Sequence, residues 1–365
     1  MSTPPKKKPT PVAALDRPGE RGPKSHKRLQ MADIARLAGV SVATVSRALS
    51  GSPLISVDTR DRVEELARSV GYAINVSAQN LRLKQNRTIA VVVPYDPQTR
   101  QHLSDPFFLG LIGSIADALT DQGHEMLLSR VNADRLDLAA QSYDSGRAAG
   151  LIMIGQWHHH DQLNEMAVRG VPFVVWGAQL PGQLYSTVGS DNHQGGQLAV
   201  AHLLAQGARR IVFLGDPELP EVGQRQSGYL DAHAAAGVPV DTALCRSVPF
   251  ERQAIEAAVE HLCEQGVDFD GLFAASDLMA MTAISTLRRL GRLVPDDVLV
   301  AGYDDVTLAA HFHPALTTIH QSIEAAGEQL VGALQEQLEG GRPQPRRLAT
   351  TLVVRDSSRR QSLAG

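Results

Sequence analysis

Met31-Ala-Asp-Ile-Ala-Arg-Leu-Ala-Gly-Val-Ser-Val-Ala-Thr-Val-Ser-Arg-Ala-Leu-Ser50 reads as two short helices joined by a tight turn. Ala35 is small where two helices must cross, Gly39 stands where the turn needs a positive φ, and Ile34, Val40 and Val45 fill the space between. Ser41 is placed to cap a second helix whose outward face carries Val42, Ala43, Ser46 and Arg47. Such a helix suits a DNA major groove: Arg47 has a fork for a guanine edge or a phosphate, and Val42 and Ala43 are apolar contacts for thymine methyls. An ordinary helical hairpin in a core is the plain alternative.

Charge favours the groove. The chain of 365 residues has a net charge of -4, but residues 1–87 carry 16 Lys+Arg against 7 Asp+Glu, and the remainder 19 against 32. A basic head on an acidic body fits a head that meets a polyanion. Residues 1–26 are basic, Pro-rich and poor in large apolar residues, so a disordered tail is expected there. Residues 27–73 are expected to form the small all-α headpiece, 74–86 a hinge helix or linker, and 358–365 a flexible tail.

Residues 87–357 follow a different grammar. Short apolar runs (Ile89–Val93, Met126–Leu128, Gly150–Ile154, Phe173–Val175, Ile211–Leu214, Leu272–Ala274, Val298–Val300) alternate with helical segments. That alternation predicts α/β architecture with parallel sheets covered on both faces, and its length suits two lobes better than one. Ligands in open α/β sheets sit beyond the carboxyl ends of the strands, so a two-lobed version places its site in the cleft. Without a signal-like N-terminus, an apolar run of about 18 residues, or more than two cysteines (Cys245, Cys263), the expectation is a cytoplasmic, nucleoid-associated protein with no membrane contact and no disulfides.

Enzyme chemistry finds little support. His158-His159-His160 lacks the i, i+4 spacing of a helical metal site, Gly195-Gly196 lacks the rest of a dinucleotide or phosphate loop, and neither cysteine belongs to a CxxC pair. Neither a metal nor a cofactor is expected.

Asp33-Ile-Ala35, Gly39-Val-Ser41 and Thr44-Val-Ser-Arg47 resemble the signature of the LacI/GalR family of bacterial repressors. Asp105-Pro-Phe-Phe108, Ser276-Asp-Leu-Met-Ala280, Val300-Ala-Gly-Tyr-Asp-Asp305 and Leu316-Thr-Thr-Ile-His-Gln321 look like further blocks of it, so the resemblance runs from about Lys27 to Asp356. It implies a periplasmic-binding-protein-like effector domain, two lobes joined by three crossovers, and a homodimer on a palindromic double-stranded operator. In the headpiece it implies that Thr44 belongs to the recognition helix and that Thr59, Tyr72 and Asn75 touch phosphates. In the hinge, Leu81 becomes a minor-groove wedge with Ala78 beside it, although Ile74 and Val76 stand where many members have Pro and Arg. The matching cleft positions are Asp105, Phe107, Asp191, Arg225, Phe250, Asp277 and Gln321, with Trp157 and Trp176 as added stacking faces. Asp and Arg with aromatic rings suit a mono- or oligosaccharide. A purine-responsive co-repressor and, more remotely, a solute-binding protein are the other readings, and Asp191 has an equally plain reading as a helix cap.

Overall fold

Three short helices build the head, and each starts or stops at a residue chosen for that job. The computed structural model describes residues 30–49, 52, 54–70, 86–96, 103–157 and 159–359. The expected N-terminal tail and all of the expected hinge but Asn86, with Ile74, Asn75, Val76, Ala78 and Leu81, and also Tyr72 and His158, lie outside the described residues. Helix α1 (Met31–Ala38) opens on a capping box between Gln30 and Asp33 and ends at Gly39, whose φ of 68° is left-handed. Helix α2 (Val42–Leu49) is capped by Ser41, whose Oγ accepts the Thr44 N–H at 3.0 Å. Helix α3 (Val57–Ser69) is capped by Ser56. Ile34, Ala35, Val45, Ala48 and Val63 form their shared core. A fully buried aliphatic side chain contributes about 1.5–3 kcal/mol, so a core this small leaves little reserve.

The chain divides into two compact units at Leu83/Lys84. In the second unit the first lobe is a six-stranded parallel sheet. Its strands are β1 (Thr88–Tyr95), β2 (Glu125–Asn132), β3 (Gly150–Ile154), β4 (Phe173–Trp176), β5 (Ser186–Ser190) and, much later, β11 (Arg346–Leu348), in the order β11-β5-β4-β3-β1-β2. Helices α4 (Pro106–Asp121), α5 (Gln141–Asp144) and α6 (His160–Val168) connect the early strands. Side chains alternate between two cores with the period of two that a strand imposes. Ile89, Val91 and Val93 of β1 face α4's side, and Ala90 and Val92 face the opposite core.

Helix α7 (Asn192–Ala205) carries the chain into the second lobe. There β6 (Ile211–Leu214), α8 (Pro220–Ala235), β7 (Cys245–Arg246), α9 (Arg252–Glu264), β8 (Gly271–Ala274), α10 (Asp277–Arg289) and β9 (Leu299–Ala301) form a parallel sheet ordered β7-β6-β8-β9 with its helices. After α11 (Thr307–His311), β10 (Thr318–Gln321) leads back through α12 (Ile323–Leu338) to β11, and β12 (Thr350–Val353) returns to pair antiparallel with β10. The three crossovers therefore fall at Asp191, Gln321 and Ala349. Two are stitched together, since Asp191 N–H donates to the Leu348 carbonyl at 2.9 Å and Thr350 Oγ1 to the Asp191 carbonyl at 3.2 Å.

Gly195-Gly196, without the pattern of a nucleotide loop, has a packing role. A Cβ on Gly196 would fall on the Arg225 carbonyl of α8, and one on Gly228 of α8 would fall on the His193 carbonyl of α7. The two helices touch backbone to backbone, which fixes where α8 presents Arg225. Gly196→Ala is expected to cost about 3 kcal/mol, as overpacking against backbone does, and to lower the melting temperature of the effector unit by several degrees. An unchanged melting temperature in calorimetry contradicts this packing argument.

Candidate operator and effector sites

The head presents one polar-apolar face. Ser41, Val42, Ala43 and Arg47 are exposed, Thr44 and Ser46 are half-buried, and Val45 and Ala48 turn inward. Ser41 Oγ and Thr44 Oγ1 lie 2.8 Å apart across the first turn of α2. Thr59 sits in the first turn of α3, its hydroxyl accepting from Ser56 Oγ at 2.9 Å. A helix N-terminus with hydroxyls around it suits a phosphate. Among the sequence-predicted contacts in the described part of the head, none is buried.

Between the lobes lies a cleft open to solvent. The first lobe supplies Asp105, Phe107, Phe108, Gln156, Trp157 and Trp176, and the second Leu219, Glu221, Val222, Arg225, Phe250, Ser276 and Asp304. Phe107 projects from the first turn of α4, where Asp105 caps the helix by accepting the Phe107 N–H at 2.9 Å. The Phe107 ring stands 6.3 Å from Trp176 and 5.7 Å from Phe108, within the range of favourable aromatic pairs. Trp157 and Asp304 are both non-glycine residues with positive φ, 49° and 119°. Such backbone persists where surrounding structure imposes it, and here both cases are in the cleft wall.

Arg225 is buried, and its fork is held. Nε donates to Asn192 Oδ1 at 2.9 Å, Nη1 donates to the Ala275 carbonyl, and the guanidinium lies 3.7 Å from the Tyr303 ring centre. Around it stand carboxyls that burial makes hard to ionise. Asp105, Glu221 and Asp304 are all pushed above the usual carboxylate range by desolvation, while the Arg225 charge pulls Glu221 and Asp304 back down. This wall combines aromatic rings with acceptors and one fixed cation, a set chemically suited to a ligand rich in hydroxyls.

The structure thus brings together Asp105, Phe107, Trp157, Trp176, Arg225 and Phe250 of the sequence-predicted set, and it gives the other three different work. Asp191 caps α7 through the Gln194 N–H at 3.0 Å and lies 3.6 Å from Arg347. Asp277 is fully buried and accepts from the Val306 N–H at 2.9 Å and from Thr318 Oγ1, with its carboxyl pushed up to about 7, chiefly by burial. Gln321 donates to Asp304 Oδ1 at 2.7 Å, so it positions a wall residue from behind. Asp304 and Glu221 were missed. Asp304 lies in the quoted Val300–Asp305 block, and Glu221 opens a helix after a strand, the same placement that pointed to Arg225.

Two family models match: bacterial regulatory proteins, lacI family, over residues 30–75, and a periplasmic binding protein-like domain over residues 200–358. Over 334 residues the chain is 35% identical to the HTH-type transcriptional regulator CelR of Thermobifida fusca, covering 89% of this chain and 96% of that protein. The chain belongs to the LacI family of bacterial regulatory proteins. It is therefore a DNA-binding transcription regulator, like its LacI-family relatives. AscG of Escherichia coli is 30% identical, with 90% and 97% covered. Among solved structures, a complex of the regulator CelR with cellobiose is 33% identical with a TM-score of 0.65, covering 90% of this chain and all of that one. The lac repressor dimer bound to operator, at 23% identity and a TM-score of 0.81 over 91% and 99%, shares the fold.

Among the described residues no group of three or more His, Cys, Asp or Glu is placed to hold a metal ion, and no helix is long and apolar enough to cross a membrane. Cys245 and Cys263 are free thiols.

Proposed function

We propose that this LacI-family regulator is a cytoplasmic, dimeric repressor of carbohydrate-utilisation genes, released from a palindromic operator when a saccharide fills the cleft between its lobes. The observation that carries the reading is the cleft wall. Phe107, Trp157, Trp176 and Phe250 offer flat apolar faces to pyranose rings, and Asp105, Glu221, Arg225 and Asp304 offer the acceptors and the fork that hydroxyl pairs require. The similarity to CelR, whose solved complex holds cellobiose, supports a β-linked disaccharide as the first ligand to try.

The contacts on the DNA side are assigned to Ser41, Val42, Ala43, Thr44, Ser46 and Arg47 for bases and nearby phosphates, and to Thr59 for a phosphate. Tyr72, at the end of the head, and Asn75 are assigned to phosphates, and Ala78 and Leu81 of the hinge to the minor groove. Ligand bridging the lobes favours their closed form, and by reciprocity operator binding weakens the ligand by the same factor. The protein holds its ligand without transforming it.

Both tryptophans of the chain, Trp157 and Trp176, line the cleft, so intrinsic fluorescence reports occupancy directly. Titration with cellobiose and a panel of mono- and disaccharides is expected to give a saturable change at one ligand per chain. A response to purines alone moves the site to the nucleobase class, and no response to any of them defeats the assignment of the cleft.

A further inference from the structure

Arg225 lines the cleft from α8, and its neighbours decide which of its nitrogens is left for a ligand. Nε donates to Asn192 Oδ1 at 2.9 Å and Nη1 donates to the Ala275 carbonyl. The guanidinium carbon lies over the Tyr303 ring, 3.7 Å from its centre. Among the described residues Nη2 has no hydrogen-bond partner. A long side chain tied at two nitrogens and stacked on a ring has given up its rotamer freedom before a ligand arrives, so binding costs less entropy.

Asn192 does more than accept one bond. It is the first residue of α7, directly after the crossover at Asp191, and it is buried. Its Nδ2 donates to the Ser190 carbonyl at the end of β5, at 3.1 Å. One end of an amide donates and the other accepts, so these two partners set which way the group is turned. The second-lobe cation is thereby held against the last residue of a first-lobe strand.

The residues that follow leave the room this needs. A Cβ on Gly195 would strike the Tyr303 hydroxyl, and one on Gly196 the Arg225 carbonyl. Asn192 also brings no charge. Arg225 therefore remains the cation that draws Glu221 and Asp304 back towards the ordinary carboxylate range. A carboxylate at position 192 would also accept from Nε, but it would cancel that charge.

We propose that Asn192 is a positioning residue for ligand recognition, holding Arg225 by Nε so that Nη2 is the nitrogen left to donate to the ligand. Asn192 is buried and is no part of the cleft lining, so it acts only through Arg225. The role rests on the saccharide reading of the cleft and deepens it. Without Asn192, Nε becomes a buried donor lacking an acceptor and the fork loses the support that keeps it aimed.

The test is a double-mutant cycle between positions 192 and 225, read by cellobiose titration with tryptophan fluorescence on the full chain. Asn192→Ala is expected to weaken cellobiose by about tenfold or more, the penalty of a buried donor left unmatched. On an Arg225→Leu background no nitrogen remains to be held, and the same substitution is expected to change affinity by less than about threefold. Leu262→Ala, in the buried core of the second lobe, controls for lost stability. It is expected to lower the melting temperature and to leave affinity within about threefold of wild type. Should Asn192→Ala not fold, Asn192→Ser, whose hydroxyl is too short to reach Nε, takes its place in the cycle. An Asn192→Ala variant with wild-type affinity, an equal loss on both backgrounds, or an equal loss in Leu262→Ala overturns the positioning role and leaves the saccharide reading standing. If neither cellobiose nor any other saccharide changes wild-type fluorescence, that reading falls and the positioning role falls with it.

Discussion

Val45→Asp abolishes operator binding and leaves ligand binding in the cleft intact. Val45 has no exposed surface and packs with Ile34, Ala35, Ala48 and Val63 in a core that shares no residue with those of the effector unit. An unpaired carboxylate there must be desolvated or protonated, at a cost of several kcal/mol. A three-helix head has too few other buried side chains to absorb that loss. The head unfolds, and with it goes the spacing of Val42, Ala43 and Arg47 proposed for the major groove. Arg47→Ala, a surface change, is expected to weaken the operator by only about 10- to 100-fold, the 1–3 kcal/mol of one bidentate base contact. Fluorescence anisotropy on operator DNA and tryptophan fluorescence with cellobiose separate the two losses. Val45→Asp binding the operator within threefold of wild type contradicts the role given to this core.

Arg225→Leu lowers saccharide affinity by two to three orders of magnitude. The guanidinium ties Asn192 of α7 to the Ala275 carbonyl after β8, stacks on Tyr303, and is the charge that opposes the desolvation of Glu221 and Asp304. Removing one member of a buried charged set costs about 3–5 kcal/mol because the partners remain buried. Ligand hydroxyls also lose a rigid fork of donors. Arg225→Lys restores the charge but not the fork, and an intermediate affinity is expected. Calorimetric titration checks both, and an Arg225→Leu variant within tenfold of wild type contradicts the placement of Arg225 at the centre of the cleft.

The head was readable in the sequence because everything that shapes it is local. Gly39 with a left-handed φ, the Ser41 cap and the small Ala35 act within a few residues of one another. The buried strands were readable for a related reason. A parallel sheet covered on both faces requires continuous apolar runs such as Ile89–Val93 and Ile211–Leu214. Strands β5, β10 and β12 carry Ser, Thr, His and Gln, since they lie at the crossovers, and no apolar run marks them.

In the cleft, the family resemblance pointed to Arg225, Phe107 and Asp277 and passed over Asp304. The choice between Asp277 and Asp304 depends on backbone that sequence does not reveal. Asp304 is turned to the cavity by a φ of 119° and steadied by Gln321, whereas Asp277 spends both oxygens on Val306 and Thr318. Glu221 was hidden similarly, because the cleft it lines is shared with residues of the other lobe, far away in sequence.

The most direct test of the central claim is operator binding by fluorescence anisotropy on a palindromic duplex with a central CG step, titrated against cellobiose and the saccharide panel at fixed salt. The free protein is expected to bind tightly, to weaken with added salt as phosphate contacts release counterions, and to release the duplex when a saccharide that also changes tryptophan fluorescence is added. Operator affinity unmoved by every saccharide that fills the cleft contradicts a saccharide-released repressor.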